Sequence, residues 1–155
     1  MKHESVISMW NAYLESIGES PESTKLDYES WHFCSNEKDA NELVELVLEG
    51  PKRGTASLHK LYELENESVP TVGGHSVLTD WEGVAKCIIK DVNVTILPFK
   101  DFSEELARIE GEGDKSLEYW RRAHLNVFRA DAEEYGFEFN EDLLVVFEQF
   151  EVVYP

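Results

Sequence analysis

The β-forming residues of this chain come in four widely spaced pieces, and that spacing limits the folds open to it. Thr55 to Glu63 alternates in part. The stretch from His75 to Leu97 holds two β-branched runs joined at Asp80-Trp81-Glu82-Gly83, and LLVVFEQFEVVY closes the chain from Leu143 to Tyr154. Between them lie helical patterns whose spacing does not suit repeated strand-helix-strand units. The expected fold is therefore α+β, a small, mostly antiparallel, barrel-like sheet with flanking helices.

The helices are legible from their stops. Val6, Ile7, Trp10, Tyr13, Leu14 and Ile17 recur at helical spacing before Gly18. Asn36, followed three positions on by Asp39, resembles a cap; Ala40, Leu43, Val44 and Val47 make one face, and Gly50 is placed to end that helix. Phe102 to Ile109 reads as a short helix, and a longer one runs from Ser116 to Gly136 with Leu117, Trp120, Leu125 and Phe128 on its inner side. At 155 residues the chain fits one domain, 1–155, with 1–34 as an N-terminal helical extension.

No stretch approaches the roughly 18 uninterrupted apolar residues of a membrane span, and the N-terminus lacks the apolar core of a signal peptide, so a soluble, cytoplasmic protein is expected. Cys34 and Cys87 are far apart and form no CxxC pair, which points to neither a disulfide framework nor a zinc site. The net charge of −18 is the strongest limit on partners. Binding to a long RNA or DNA is driven by basic groups meeting phosphates, and this chain repels a polyanion at a distance. A nucleoside, a nucleotide or a short RNA is compatible with a local basic patch around Lys52, Arg53, His59 and Lys60. The oligomeric state is not legible.

Four features carry candidate chemistry. GPKRGT, Gly50 to Thr55, has the glycines, lysine and threonine of an anion-holding loop, but it follows a helix and precedes a strand, and Pro51 removes an N–H, so it is not a phosphate loop. The acidic loop Glu110-Gly111-Glu112-Gly113-Asp114 lacks calcium-loop spacing; it reads either as a turn capping the next helix or as a bend that aims one carboxylate into a cleft. Arg121, Arg122, His124 and Arg129 with Glu118 read as a salt-bridged helix face, with one arginine turned toward the acidic loop. Trp31 and Phe33 offer flat surfaces for a base, or core packing.

Together, Gly50-x-Lys52-x-x-Thr55 after a helix, two strands, the EGEGD loop running into SLEYWRRAH, and the closing FEQFEVV strand resemble the ASCH family, named for activating signal cointegrator homology, of the PUA-like superfamily. The resemblance extends to a longer bacterial subgroup with an N-terminal helix and a Trp-x-Phe segment. It implies a PUA-like β-barrel with a cleft beside the lysine–threonine loop and RNA or nucleotide binding. Some small relatives of this kind are amidohydrolases that deacetylate N4-acetylcytidine. By motif position their catalytic lysine and threonine fall on Lys52 and Thr55, and their glutamate on Glu112, with Glu110 as its rival. Gly50, Arg53, Trp31, Phe33, Glu110 and Arg121 are the expected binding residues, and no metal or cofactor is implied. A non-catalytic RNA- or nucleotide-binding module is the competing reading, with a ribonuclease third. Chemistry limits Lys52 as a base: a lysine at its reference pKa of about 10.4 needs about 4 kcal/mol of differential interaction to drop three units. In so acidic a chain, only burial or a cation such as Arg53 supplies that.

Overall fold

The computed structural model describes residues 2–155, so the first residue of the expected 1–155 domain lies outside it. Five strands form one sheet in the order β1-β3-β4-β5-β2. They are β1 (Tyr28–Trp31), β2 (Gly54–Leu58), β3 (His75–Thr79), β4 (Ala85–Pro98) and β5 (Leu144–Tyr154). Among the described residues the β1–β3 pair is parallel, and the β2–β5, β3–β4 and β4–β5 pairs are antiparallel. Among the described residues no ladder joins β1 to β2, so the sheet curls without closing. The α+β class and the mostly antiparallel sheet agree with the sequence.

Strand alternation divides the core. On one face, α1 (Glu4–Ser16) lays Val6, Trp10, Tyr13 and Leu14 against Val77 and Ile88. Beyond it, α4 (Glu104–Glu110) and α5 (Leu117–Tyr135) bury Ala107, Trp120 and Phe128 around Phe99, Val145 and Phe147. On the opposite face, α2 (Glu37–Glu49) covers Phe33, Leu78, Cys87, Ile89 and Phe150 with Val44 and Val47. Thr55 sits opposite Glu148, and Asp91 opposite Phe150, so all of these side chains share that second face.

The caps follow the sequence. Asn36 Oδ1 accepts from the Asp39 N–H at 2.9 Å, and Gly50 ends α2 in the left-handed conformation. Ser116 caps α5, and Gly136 ends it. Two expectations fail. The segment read as one strand, Thr55 to Glu63, stays extended only to Leu58 and then forms the short helix α3 (His59–Leu64), which has no side-chain cap to announce it. The segment 1–34 is not helical throughout: it ends in β1, whose hydrogen-bond partner β3 lies more than forty residues downstream.

Gly111 locks the acidic loop against the α2–β2 loop. Its φ is +73°, and a Cβ there would stand 2.1 Å from the Pro51 carbonyl oxygen. Gly111→Ala adds left-handed strain to a backbone clash and is expected to lower stability by about 3 kcal/mol, read from urea unfolding.

Candidate functional site

The α2–β2 loop is pinned before any side chain is considered. The N–H groups of Gly50 and Lys52 both donate to the Leu46 carbonyl, closing α2, and the Arg53 N–H donates to Ile109 at the end of α4. This brings Lys52 under the acidic loop. The side chain is fully buried, and its ammonium meets three acceptors: the Gly54 carbonyl at 2.8 Å, Glu112 Oε2 at 2.7 Å and the Glu110 carbonyl at 3.4 Å. Glu110 Oε2 is 3.6 Å away, and the Phe33 ring centroid 5.1 Å. An ammonium has three N–H donors and no acceptor, so this geometry uses all of its capacity.

Glu110 is equally enclosed. Oε1 accepts from the Trp120 indole N–H at 2.8 Å, and Oε2 faces His124 Nε2 at 2.9 Å. The His124 ring stacks on Trp120, and its Nδ1 lies 2.9 Å from the Trp120 carbonyl, to which it can only donate. Burial works against the Glu110 carboxylate, but His124 and Lys52 outweigh it and hold its pKa well below the ordinary carboxylate range. Burial likewise opposes a charged His124, and the Glu110 carboxylate reverses this, so the imidazole pKa is raised. With both nitrogens against acceptors, His124 is an imidazolium donating twice.

Glu112 differs from its neighbour two residues away. Burial raises its pKa, the Glu110 charge and hydrogen bond add to that, and Lys52 offsets only part. Two carboxylates on one loop are thus driven apart in proton affinity, Glu110 downward and Glu112 upward. Ligand atoms of Glu110, Glu112 and His124 lie within 4.8 Å of one another. The Lys52 ammonium already fills the cationic position among them.

A cavity of about 900 Å³ opens on the second face of the sheet, between the unpaired edges of β1 and β2. Trp31, Thr55, Ser57 and Tyr62 stand on its wall, with Asp91 and Glu148 also lining it. Among the described residues, neither lysine nor arginine lines it. Burial pushes the Glu148 carboxyl up to about 9, and the neighbouring Asp91 carboxyl and the Glu29 charge add to the rise.

The structure therefore divides the expected site. Lys52, Glu110 and Glu112 meet one another but do not line the cavity; Thr55 and Trp31 line it, and Phe33, 5.1 Å from Trp31 between ring centroids, joins the two groups from within the core. The other expected binding residues are engaged elsewhere. Gly50 is a helix stop, and the Arg53 guanidinium donates to the Val47 and Lys52 carbonyls. Arg121 does not turn to the acidic loop: it pairs with Glu141 and lies over Phe99, while Arg122 lies over Tyr119. No local basic face forms, since His59 and Lys60 both pair with Glu63. The acidic loop satisfies both readings at different residues, because Asp114 accepts from the Ser116 N–H at the start of α5 while Glu112 meets Lys52. Sequence reasoning placed His124 only on a salt-bridged helix face and missed Asp91 and Glu148. Their only signals were a histidine four residues after Trp120 and single acids inside apolar strands.

Comparison with known proteins adds a family. A model of the ASCH domain matches residues 29–154. An ASCH domain of Lactobacillus crispatus JV V101, known from a high-resolution crystal structure, is 40% identical, with a TM-score of 0.91 over 99% of this chain and 97% of its own. A protein of Enterococcus faecalis V583 is 30% identical, with a TM-score of 0.87 over 97% of this chain and 89% of its own. A search of curated proteins finds no match. No helix among the described residues is long and apolar enough to cross a membrane.

Lys52→Met leaves Glu110 and Glu112 facing each other without their cation, and a loss of about 3–5 kcal/mol in urea unfolding is expected. Glu148 gives a pH signature. Its folded-state pKa of about 9 lies above the usual 4.5, so between those values the folded chain holds a proton that the unfolded chain releases. The stability it contributes is fully present below pH 4.5 and lost as pH rises toward 9. Thermal melts from pH 5 to 9 are expected to fall more steeply for the wild type than for Glu148→Gln.

Proposed function

The chain belongs to the ASCH domain family, and on that footing we propose that its cavity binds a nucleoside bearing an amide substituent, and that Thr55, Lys52 and Glu112 act together to hydrolyse that amide. Family membership supports a ligand of the RNA or nucleotide class. The acidic cavity narrows this to a nucleoside without a long phosphate chain, because no lysine or arginine lines it to meet phosphate. N4-acetylcytidine has the required chemistry: neutral, planar and closed by an amide.

One observation carries the reading. Thr55 stands on the cavity wall, and the preceding residue, Gly54, gives its carbonyl to Lys52, which holds Glu112 at 2.7 Å. Thr55 Oγ1 attacks the acyl carbon while the Glu112 carboxylate, made more basic by burial, takes the hydroxyl proton and passes it to the leaving amine; water then cleaves the acyl–Thr55 ester and frees the acid. Lys52 has its three donors engaged and acts through position and charge, fixing the Gly54–Thr55 peptide and steadying Glu112, and not as the base. Glu110 is the buried anchor of Lys52.

Binding without chemistry is the second reading, favoured by the separation of Lys52 and Glu112 from the cavity wall. A ribonuclease has nothing in this cavity to hold the scissile phosphate. Incubation with N4-acetylcytidine and a panel of acylated nucleosides separates the readings. Turnover by the wild type is expected, with kcat reduced about 100-fold or more by Thr55→Ala and by Glu112→Gln. Ligand binding with no turnover across the panel establishes the binding module instead. Equal turnover by wild type and variants removes the proposed residues.

A further inference from the structure

Two buried acids at the floor of the cavity have no counter-charge from the chain. Asp91 on β4 and Glu148 on β5 are only 6% and 8% exposed, yet both line the cavity. Asp91 stands opposite Phe150, and Glu148 lies two residues before Phe150, so the two carboxyls are diagonal neighbours on one face of the sheet. Thr55 is directly across from Glu148. Among the described residues no N–H or hydroxyl donates to either carboxyl, and no lysine, arginine or histidine pairs with one. No side-chain oxygen sealed from solvent lacks a hydrogen bond among those residues, so the unbonded oxygens of Asp91 and Glu148 open onto the cavity. Glu110 shows the alternative. At that buried acid the chain supplies two cations of its own, Lys52 and His124, and so offsets the cost of taking a carboxylate out of water.

We propose that Asp91 and Glu148 form a subsite for a protonated amine, so that the cavity takes a ligand with an alkyl arm ending in an ammonium group. The ammonium brings the counter-charge that the fold withholds. Its three N–H donors meet two carboxyls that offer four oxygens between them. The wall beside them suits an organic stem, since Trp31, Val69 and Pro70 line it, and an aromatic face also attracts a cation. A metal ion fits less well. The group of metal-ligating side chains near enough to share one, among the described residues, is Glu110, Glu112 and His124, which do not line the cavity. The other charged groups on the wall are acids: Asp27 and Glu29 from the β1 side and Glu67 from the loop after α3. Burial, then the Lys90 charge, pushes the His75 pKa down, so that ring adds no positive charge at pH 7. Burial also makes Asp91 and Glu148 harder to ionise, and an ammonium beside them draws both back toward the carboxylate. The inference stands apart from the hydrolase reading. At about 900 Å³ the cavity takes a ligand of drug size, so a nucleoside bearing an amine arm is within its reach.

NMR titration of the full chain with 5-aminopentan-1-ol, and with its uncharged counterpart 1,5-pentanediol, tests this at pH 7 and about 0.15 M salt, where exposed charges are screened. The amine is expected to bind at least about tenfold more tightly than the diol, shifting the Trp31 indole signal. Asp91→Asn and Glu148→Gln are each expected to weaken the amine about tenfold and to leave the diol unchanged. Glu118→Gln removes the same charge from an exposed position on α5, outside the cavity, and is expected to change amine affinity less than about twofold. Equal affinity for amine and diol, or no amine binding, overturns the inference. So does an equal loss in Glu118→Gln, which assigns the binding to the overall charge of the chain, or displacement of the amine by millimolar Mg²⁺ or Ca²⁺, which assigns it to a metal. Thermal melts confirm that each variant is folded, and either cavity variant alone decides the outcome. Deacylation of N4-acetylcytidine without amine binding sinks this inference and spares the hydrolase; amine binding without deacylation does the reverse.

Discussion

A fully buried lysine holds the candidate site together. Removing an ammonium from water is expensive, and it is tolerated here because every N–H has an acceptor and two carboxylates supply charge. Those acceptors come from three places: the start of β2, the end of α4, and the acidic loop. Lys52 thus ties a helix end to a strand start, and the glycine at 111 exists so that two backbones can approach closely enough for it to do so. His124 extends the arrangement to α5 by giving Glu110 a second cation. The four side chains balance in charge, an island of neutrality in a chain carrying −18.

Much of this was legible in the sequence, for identifiable reasons. Helix periodicity and stop residues gave α1, α2 and α5 because caps act locally, through side chains one turn away. The antiparallel strands showed as β-branched runs. By contrast, β1 is four residues, YESW, with no alternation, and its partner is parallel and distant. Nothing local records such a pairing. Helix α3 begins without a capping side chain directly after a strand, so its residues continued an apparent alternation.

The candidate residues followed the same rule. Lys52, Thr55 and Glu112 were visible through motif order, but that order does not say which way each side chain turns from its backbone. Alternation sends Thr55 to the cavity and Gly54 toward Phe147, while Lys52 precedes the strand and is free to point inward. Arg121 was misread because a helix face offers several partners, and Glu141, from the segment before β5, lies nearer than the acidic loop. Asp91 and Glu148 are fifty-seven positions apart; only the β4–β5 register, with its irregularity between Asp91 and Asn93, sets them together.

The gap between β1 and β2 has a mechanical meaning. Each of these strands is hydrogen-bonded on one side only, and β1 is held to the sheet by four residue pairs. A molecule seated between them stands where a sixth strand would, touching both margins at once. Occupancy and the fastening of β1 are then linked by mass action, so that the ligand serves as the missing stave of an unfinished barrel.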